Sequence, residues 1–223
     1  PGTVHIHSHE EAHNHDHSHD SHHDHSHTHQ TLDVHAAILS KNDRLAERNR
    51  GFFLAKQLFV LNVLSSPGSG KTALIEKTLT DLGDRLKSAV IVGDLETDND
   101  AKRLRRSGME VVQITTGSIC HLEADMVSQA LTQINLDDLK LLFIENVGNL
   151  VCPAAYDLGE NIRVALLSVT EGEDKPLKYP TLFKTADVAI INKIDIAEVV
   201  GFDRNAATEN IRRIVASAKI LEV

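Results

Sequence analysis

The chain has 223 residues, 41% hydrophobic and 25% charged, the balance of a soluble globular protein with room for one α/β domain and an added segment. A net charge of −9 with histidine neutral argues against nucleic acid as the main partner, and no apolar run approaches the roughly 20 residues of a membrane-spanning helix, so no membrane partner is expected. Nothing resembles a signal peptide, so a cytoplasmic location is expected, where Cys120 and Cys152 would be free core thiols or metal ligands and not a structural disulfide.

The chain opens at Pro1 and not at Met, and so reads as a fragment or a processed chain. Residues 1–31 are of low complexity, and twelve of the fourteen histidines lie between His5 and His29 among Ser, Asp, Glu and Asn. Such a stretch has almost nothing apolar to fold around, so disorder is expected. Imidazole ligates Ni²⁺, Cu²⁺ and Zn²⁺, which suggests a metal-binding tail. A purification tag is the plainer alternative, but tags are usually uniform histidine runs and this one alternates with Asp and Ser. Residues 32–53 read as a helix, with Leu32, His35, Ala36, Leu39, Asp43, Ala46 and Arg50 at helical spacing and Gly51 as its end. Its mixed face suits packing or partner contact.

An apolar run over 58–64 predicts a strand that stops at SSPGSGKT, residues 65–72. A helical pattern follows, with Leu74, Ile75, Thr78 and Leu79 on one face. Strand, glycine-bearing loop, Lys-Thr and helix is the layout of a phosphate-binding P-loop. Gly68 and Gly70 would let the backbone around Ser69 curl its N–H groups toward one anion, and the helix start at Lys71, Thr72 and Ala73 adds partial positive charge. Lys71 would reach the β- and γ-phosphates, and the Thr72 hydroxyl would ligate Mg²⁺. The strict motif begins with Gly, and here Ser65 stands at that place.

Residues 88–92 predict a second strand, followed by GDLETD. Ligands of parallel sheets bind at strand carboxyl ends, which makes Asp94 the candidate Mg²⁺ ligand or water-orienting carboxylate. Thr97 and Asp98 read as the cap of a helix over 98–106. A strand over 110–114 leads through TTGSICH into a helix over about 122–133. Cys120 next to His121 is an awkward pair for one closed zinc site, and Cys120 alone reads as a small buried hydrophobe. The strand over 139–144 ends at Glu145, whose carboxylate could reach Mg²⁺ through water, and the loop beyond it, through Gly148 to Cys152, suits a nucleotide sensor. A thiolate on such a loop would link nucleotide state to metal state.

A strand over 163–169, a polar loop over 170–180 and a strand over 187–191 lead to Asn192-Lys193-Ile194-Asp195. N-K-x-D after a strand is the guanine-reading motif of GTPases. The Asp carboxylate accepts from the guanine N1–H and amino group, which adenine cannot offer, and the Lys stem lies over the base. A helix over 204–217 and a final strand over 219–223 close the chain. Ser217-Ala218-Lys219 imitates the last guanine-contact motif but precedes a strand, where that motif would follow one. The true motif and a closing helix are expected beyond Val223.

KNDRLAERNRGFF, SSPGSGKT, GDLETDNDA, TGSICHLEADMV, ENVGNLVCP, SVTEGEDKPLKYP and NKID occur in this order between Lys41 and Asp195. Together they resemble the HypB family of hydrogenase nickel-incorporation GTPases, of the SIMIBI class of P-loop proteins, which writes its loop with Ser first. The resemblance implies an α/β, three-layer P-loop NTPase fold with a mostly parallel central sheet. It implies a GTPase that forms a homodimer with nucleotide and hands nickel to a [NiFe]-hydrogenase large-subunit precursor, with a HypA-type nickel chaperone. It also implies that Cys120, His121 and Cys152 form a Ni²⁺ or Zn²⁺ site at the dimer interface, where two subunits sharing ligands resolve the awkward adjacency. The N-terminal cysteine motif of some members is absent between Pro1 and Val223. No residue stands out as a cis arginine finger, so slow intrinsic hydrolysis is expected, with Lys71, Asp94 and Glu145 as the catalytic set. The expected division is a disordered tail over 1–31, a helix over 32–54 and a GTPase domain over 55–223. Two rival readings stand beside this one: a nickel-storage protein with a regulatory G domain, and a urease-type metallochaperone, whose family writes the SICHLEADMV and ENVGNLVCP stretches differently.

Overall fold

The computed structural model describes residues 26–223, with side chains from Ala36 onward. The histidine-rich tail lies, up to residue 25, outside the described residues. Helix α1, Ser26–Lys56, begins inside the stretch expected as tail and runs past the expected stop at Gly51. A Cβ at Gly51 would meet nothing within 4 Å, so this glycine carries only its propensity cost. The helix continues because Phe53, 1% exposed, is drawn into the core. Gln57, with φ 52, then turns the chain into the sheet.

Seven strands follow: β1 Phe59–Ser65, β2 Ser88–Asp94, β3 Glu110–Thr115, β4 Leu141–Glu145, β5 Ile162–Ser168, β6 Val188–Asn192 and β7 Lys219–Glu222. They form one sheet in the order β3-β2-β4-β1-β5-β6-β7, and every pairing is parallel. Their near-continuous apolar runs fit strands covered on both faces. The pleat sorts them: Val90 and Val92 of β2 and Leu141 and Phe143 of β4 face one layer, while Ala89, Ile91, Leu142 and Ile144 face the other.

Helices α2, Lys71–Leu82, and α3, Asn99–Arg106, cover the first face through Ile75, Leu79, Ala101 and Leu104. Helices α1, α4 (Ala124–Leu131), α6 (Pro180–Lys184) and α7 (Arg204–Ile214) cover the second. α4 and α7 are shorter than their apolar patterns predict. The stretch read as polar loop holds α5, Lys175–Lys178, and leads into α6, whose Leu182 and Phe183 are buried. Asp98 stands at the N-cap of α3 but its side chain does not cap; its carboxylate pairs with Lys102 at 2.9 Å.

α1 is fastened by polar side chains as well as by Phe53. Asn49, 2% exposed, donates to the carbonyls of Ala124 at 2.8 Å and Leu158 at 3.2 Å. Asn42 donates to the Asp157 carbonyl at 2.8 Å and accepts from the Ala124 N–H at 2.9 Å. Gly159, with φ 89, lies so close that a Cβ there would stand 2.6 Å from the Ala46 carbonyl.

Candidate nucleotide and metal sites

β1 occupies the middle of the sheet and hands the chain to the loop over 65–70 at its carboxyl end. Gly68 and Gly70 hold left-handed φ values of 72 and 102, which side chains rarely adopt. A Cβ on Gly70 would also stand 2.5 Å from Asn192 Nδ2. The turn after β6 thus clasps the loop: Asn192 Nδ2 donates to the Ser69 carbonyl at 2.9 Å, and Lys193 Nζ to the Gly68 carbonyl at 2.8 Å. Asp195 lies exposed in the following single turn, Ile194–Ile196.

Lys71 is buried, and its ammonium donates to Ser65 Oγ at 3.0 Å and to the Ser66 carbonyl at 3.4 Å. Burial lowers its pKa, against the opposing charge of Glu145. Ser65 therefore has a job that glycine lacks: its hydroxyl, itself fully buried beside the Ser69 hydroxyl, gives the lysine an acceptor.

Glu145 ends β4 with its side chain 2% exposed and accepts from the Thr72 hydroxyl at 2.7 Å. Its other oxygen is buried without a hydrogen-bond partner among the described residues. Burial pushes this carboxyl up to about 7, although the Thr72 hydrogen bond and the Lys71 charge both act to lower it. Asp94 ends β2, and its carboxylate accepts from the Leu95 N–H and the Thr97 hydroxyl, each at 2.6 Å. Thr72, Asp94 and Glu145 line one open cleft of about 450 Å³ with Gly68, Gly70, Lys71 and Ala73. Oxygen donors of this kind, one of them buried and unpaired, fit a small hard cation beside phosphate.

The cleft also carries two residues missing from the sequence reading, Asp100 and Arg103 of α3. Their spacing of three on a helix that starts just past Asp94 was the available signal. Arg103 is tied to Glu76 at 2.7 Å, and more than two-fifths of its side chain is exposed. On the far side, Ser66 Oγ donates to Glu171, whose second oxygen is buried and unpaired among the described residues.

Past β3 the chain brings Cys120 and His121 beside Cys152, their ligand atoms all within 4.8 Å of one another. Cys120 is therefore not an isolated core hydrophobe. It is half-buried beside a second thiol, and a hydrogen bond with it raises the Cys152 pKa. Both ring nitrogens of His121 are buried without hydrogen-bond partners among the described residues. Burial lowers the pKa of this histidine, against the nearby Glu123 carboxylate. Two thiols and an imidazole suit a borderline-soft cation, and leave a tetrahedral ion one ligand short.

The two sites share the loop after Glu145. The side-chain oxygen of Asn146, 1% exposed, accepts from the Leu122 N–H at 3.3 Å, next to His121. Its amide donates to the Asn62 oxygen in β1 at 3.2 Å. Gly148 lies against Pro67 of the phosphate loop, where a Cβ would stand 3.1 Å from the ring and backbone. Asn149 then accepts from the N–H groups of Val151 at 2.7 Å and Cys152 at 3.3 Å, setting up the turn Cys152–Ala155.

The sequence profile of the family described as CobW/HypB/UreG, nucleotide-binding domain, matches residues 59–222. The hydrogenase maturation factor HypB of Azotobacter vinelandii is 55% identical over 86% of this chain and 63% of its own length. A hydrogenase/urease maturation factor HypB of Helicobacter pylori is 48% identical over 82% of this chain and 76% of its own. The crystal structure of HypB from H. pylori in complex with nickel superposes with a TM-score of 0.78 at 46% identity, covering 82% of this chain and 86% of that one. The chain spans only 59 to 63% of the length of the first three curated relatives it matches. Among the described residues, no helix is long and apolar enough to cross a membrane.

Proposed function

The chain belongs to the CobW/HypB/UreG family of nucleotide-binding domains, in its HypB branch, and on that premise we propose that it is a GTP-hydrolysing nickel metallochaperone for [NiFe]-hydrogenase. One observation carries the reading. A single short loop starts at Glu145, bonded to Thr72 of the phosphate loop, and ends at Cys152, in the cluster with Cys120 and His121.

GTP lies along Gly68, Ser69, Gly70, Lys71, Thr72 and Ala73, with Asn192, Lys193 and Asp195 reading the guanine. Thr72 and Asp94 would hold Mg²⁺, which neutralises phosphate charge, and Glu145 backs Thr72. Lys71 leaves Ser65 to meet the β- and γ-phosphates, where its charge stabilises the transferring phosphoryl oxygens. Water attacks the γ-phosphorus in line, giving GDP and inorganic phosphate. Arg103, the arginine that lines the cleft among the described residues, is held by Glu76 and does not stand ready as a cis arginine finger, so slow intrinsic turnover is expected. Cys120, His121 and Cys152 carry Ni²⁺ or Zn²⁺ as cargo, completed by the same residues of a second copy, and the histidine-rich tail buffers or stores nickel. A HypA-type chaperone supplies the metal and the hydrogenase large-subunit precursor receives it.

The H. pylori relative is a hydrogenase/urease maturation factor, which favours delivery to urease as a second reading. Lys71→Ala tests the central claim. Steady-state GTP turnover is expected to vanish while nickel binding by the tail persists; equal turnover sinks the reading. The same variant separates delivery from storage, since storage alone predicts that hydrogenase maturation survives Lys71→Ala when nickel is plentiful, whereas delivery predicts its loss. Assaying hydrogenase and urease activity in cells lacking the protein decides between the two recipients.

A further inference from the structure

The His121 ring lies on the ring of Tyr156, with centroids 3.8 Å apart and planes inclined by 23°. Tyr156 closes the turn that begins at Cys152, its N–H donating to the Pro153 carbonyl at 3.4 Å. That turn is anchored from below. Arg163 of β5 donates to the carbonyls of Ala154 at 3.1 Å and Tyr156 at 3.2 Å, while its Nε pairs with the buried Glu160 at 2.8 Å. Cys120 and His121 come instead from the segment after β3. Among the described residues, Tyr156 thus ties the imidazole to the turn bearing the second thiol. Among the described residues no hydrogen bond orients that imidazole, because both its nitrogens lack one. The Glu123 carboxylate approaches Nε2 only to 3.7 Å.

A metal bonds imidazole in the ring plane, so the rotation of the ring decides whether a nitrogen points into the cluster. Metal-ligating histidines are usually oriented by a hydrogen bond from the second nitrogen. Here a flat aromatic face does that work. We propose that Tyr156 is a positioning residue for the metal site: its ring stacks on His121, holds the imidazole edge toward Cys120 and Cys152, and makes that edge follow the Cys152 turn. This rests on the reading of Cys120, His121 and Cys152 as a metal site. Without the stack the site falls back to two thiolates, the loss falling hardest on cations that need a third, tetrahedrally placed ligand.

The test uses the full chain and Co²⁺ alone, read through thiolate-to-cobalt charge transfer and d–d absorption, which the histidine-rich tail does not produce with thiolate character. Tyr156→Leu keeps apolar bulk but removes the flat face. It is expected to weaken Co²⁺ at the cysteine site by on the order of 10–100-fold and to shift the d–d bands away from the tetrahedral pattern. Tyr156→Phe keeps the face and is expected to stay within about threefold of the parent. In a His121→Ala background, Tyr156→Leu should cost nothing further, because it acts through the ring already removed. An unchanged affinity and spectrum in Tyr156→Leu, or a full additional loss in the His121→Ala background, overturns the proposal. In the unsubstituted protein the His121 ring protons, identified by their loss in His121→Ala, are expected upfield under the tyrosine ring; ordinary shifts overturn it whatever the variants do. If the unsubstituted protein shows no thiolate charge transfer that Cys120→Ala removes, the metal-site reading fails first and takes this one with it.

Discussion

Glu145 sits where two demands conflict. Its position at the end of β4 places a carboxylate against Thr72, and its burial penalises the charge it would carry in serving a cation there, as proposed. Folding raises its pKa from 4.5 to about 7. The folded chain therefore holds this proton more tightly than the unfolded chain. The resulting contribution to stability is fully present below the unfolded value and is lost as pH rises through the folded one. For the nucleotide-free and magnesium-free protein, urea unfolding should show a fall of about 3 kcal/mol from this group between about pH 4.5 and pH 8. Glu145→Gln has no such proton to lose, so the parent-minus-variant difference isolates it. A difference that stays flat with pH removes the burial argument. The sequence placed Glu145 at a strand end near the phosphates and routed its effect through water; the direct bond to Thr72 was not legible, because strand register across β1 and β4 determines it. Ser65 was legible only as a departure from the motif, since its role depends on where the Lys71 ammonium rests.

Among the elements, the strands and α2 were the most legible, because buried parallel strands need unbroken apolar runs and the phosphate loop needs its glycines. α1 was the least, and its ends show why. Its polar side chains speak for helix without saying where it stops, and its attachment uses amides as much as apolar groups. Likewise Pro180 at the start of α6 was a signal that the polar residues before it obscured. Asn49 is the sharpest test of α1. Its amide satisfies the Ala124 and Leu158 carbonyls from a site 2% exposed. Asn49→Ala leaves both acceptors without this donor and is expected to destabilise the fold by about 1–3 kcal/mol in chemical denaturation. The phosphate loop lies on other elements, so GTP affinity below the transition should stay near that of the parent. A loss under 0.5 kcal/mol, roughly that of an exposed polar contact, would mean that α1 is not anchored through this residue.

At the scale of the molecule, the loop from Glu145 to Cys152 touches both sites through named contacts: Thr72 and Pro67 on one side, Leu122 and the Cys152 turn on the other. The sequence supplied the two ends of this loop and their order. It did not supply Asn146, whose side chain accepts from the segment carrying Cys120 and His121 while its neighbour Glu145 accepts from the phosphate loop. If occupancy of one site biases this loop, thermodynamics makes the influence mutual. GTP analogue that changes Ni²⁺ or Zn²⁺ affinity by some factor must be matched by metal that changes analogue affinity by the same factor. Coupling of this kind is typically about 1–3 kcal/mol, or roughly 5–150-fold. The measurement is analogue affinity with and without one equivalent of metal, in a chain lacking residues 1–31 so that the tail does not compete. The same pair of titrations in Cys120→Ser should show no metal effect, because the thiol that completes the cluster is gone while the phosphate loop, on other strands, is intact. Metal that shifts analogue affinity equally in Cys120→Ser would place the coupling elsewhere. Metal that shifts it in neither protein would leave the loop a tether between two independent sites.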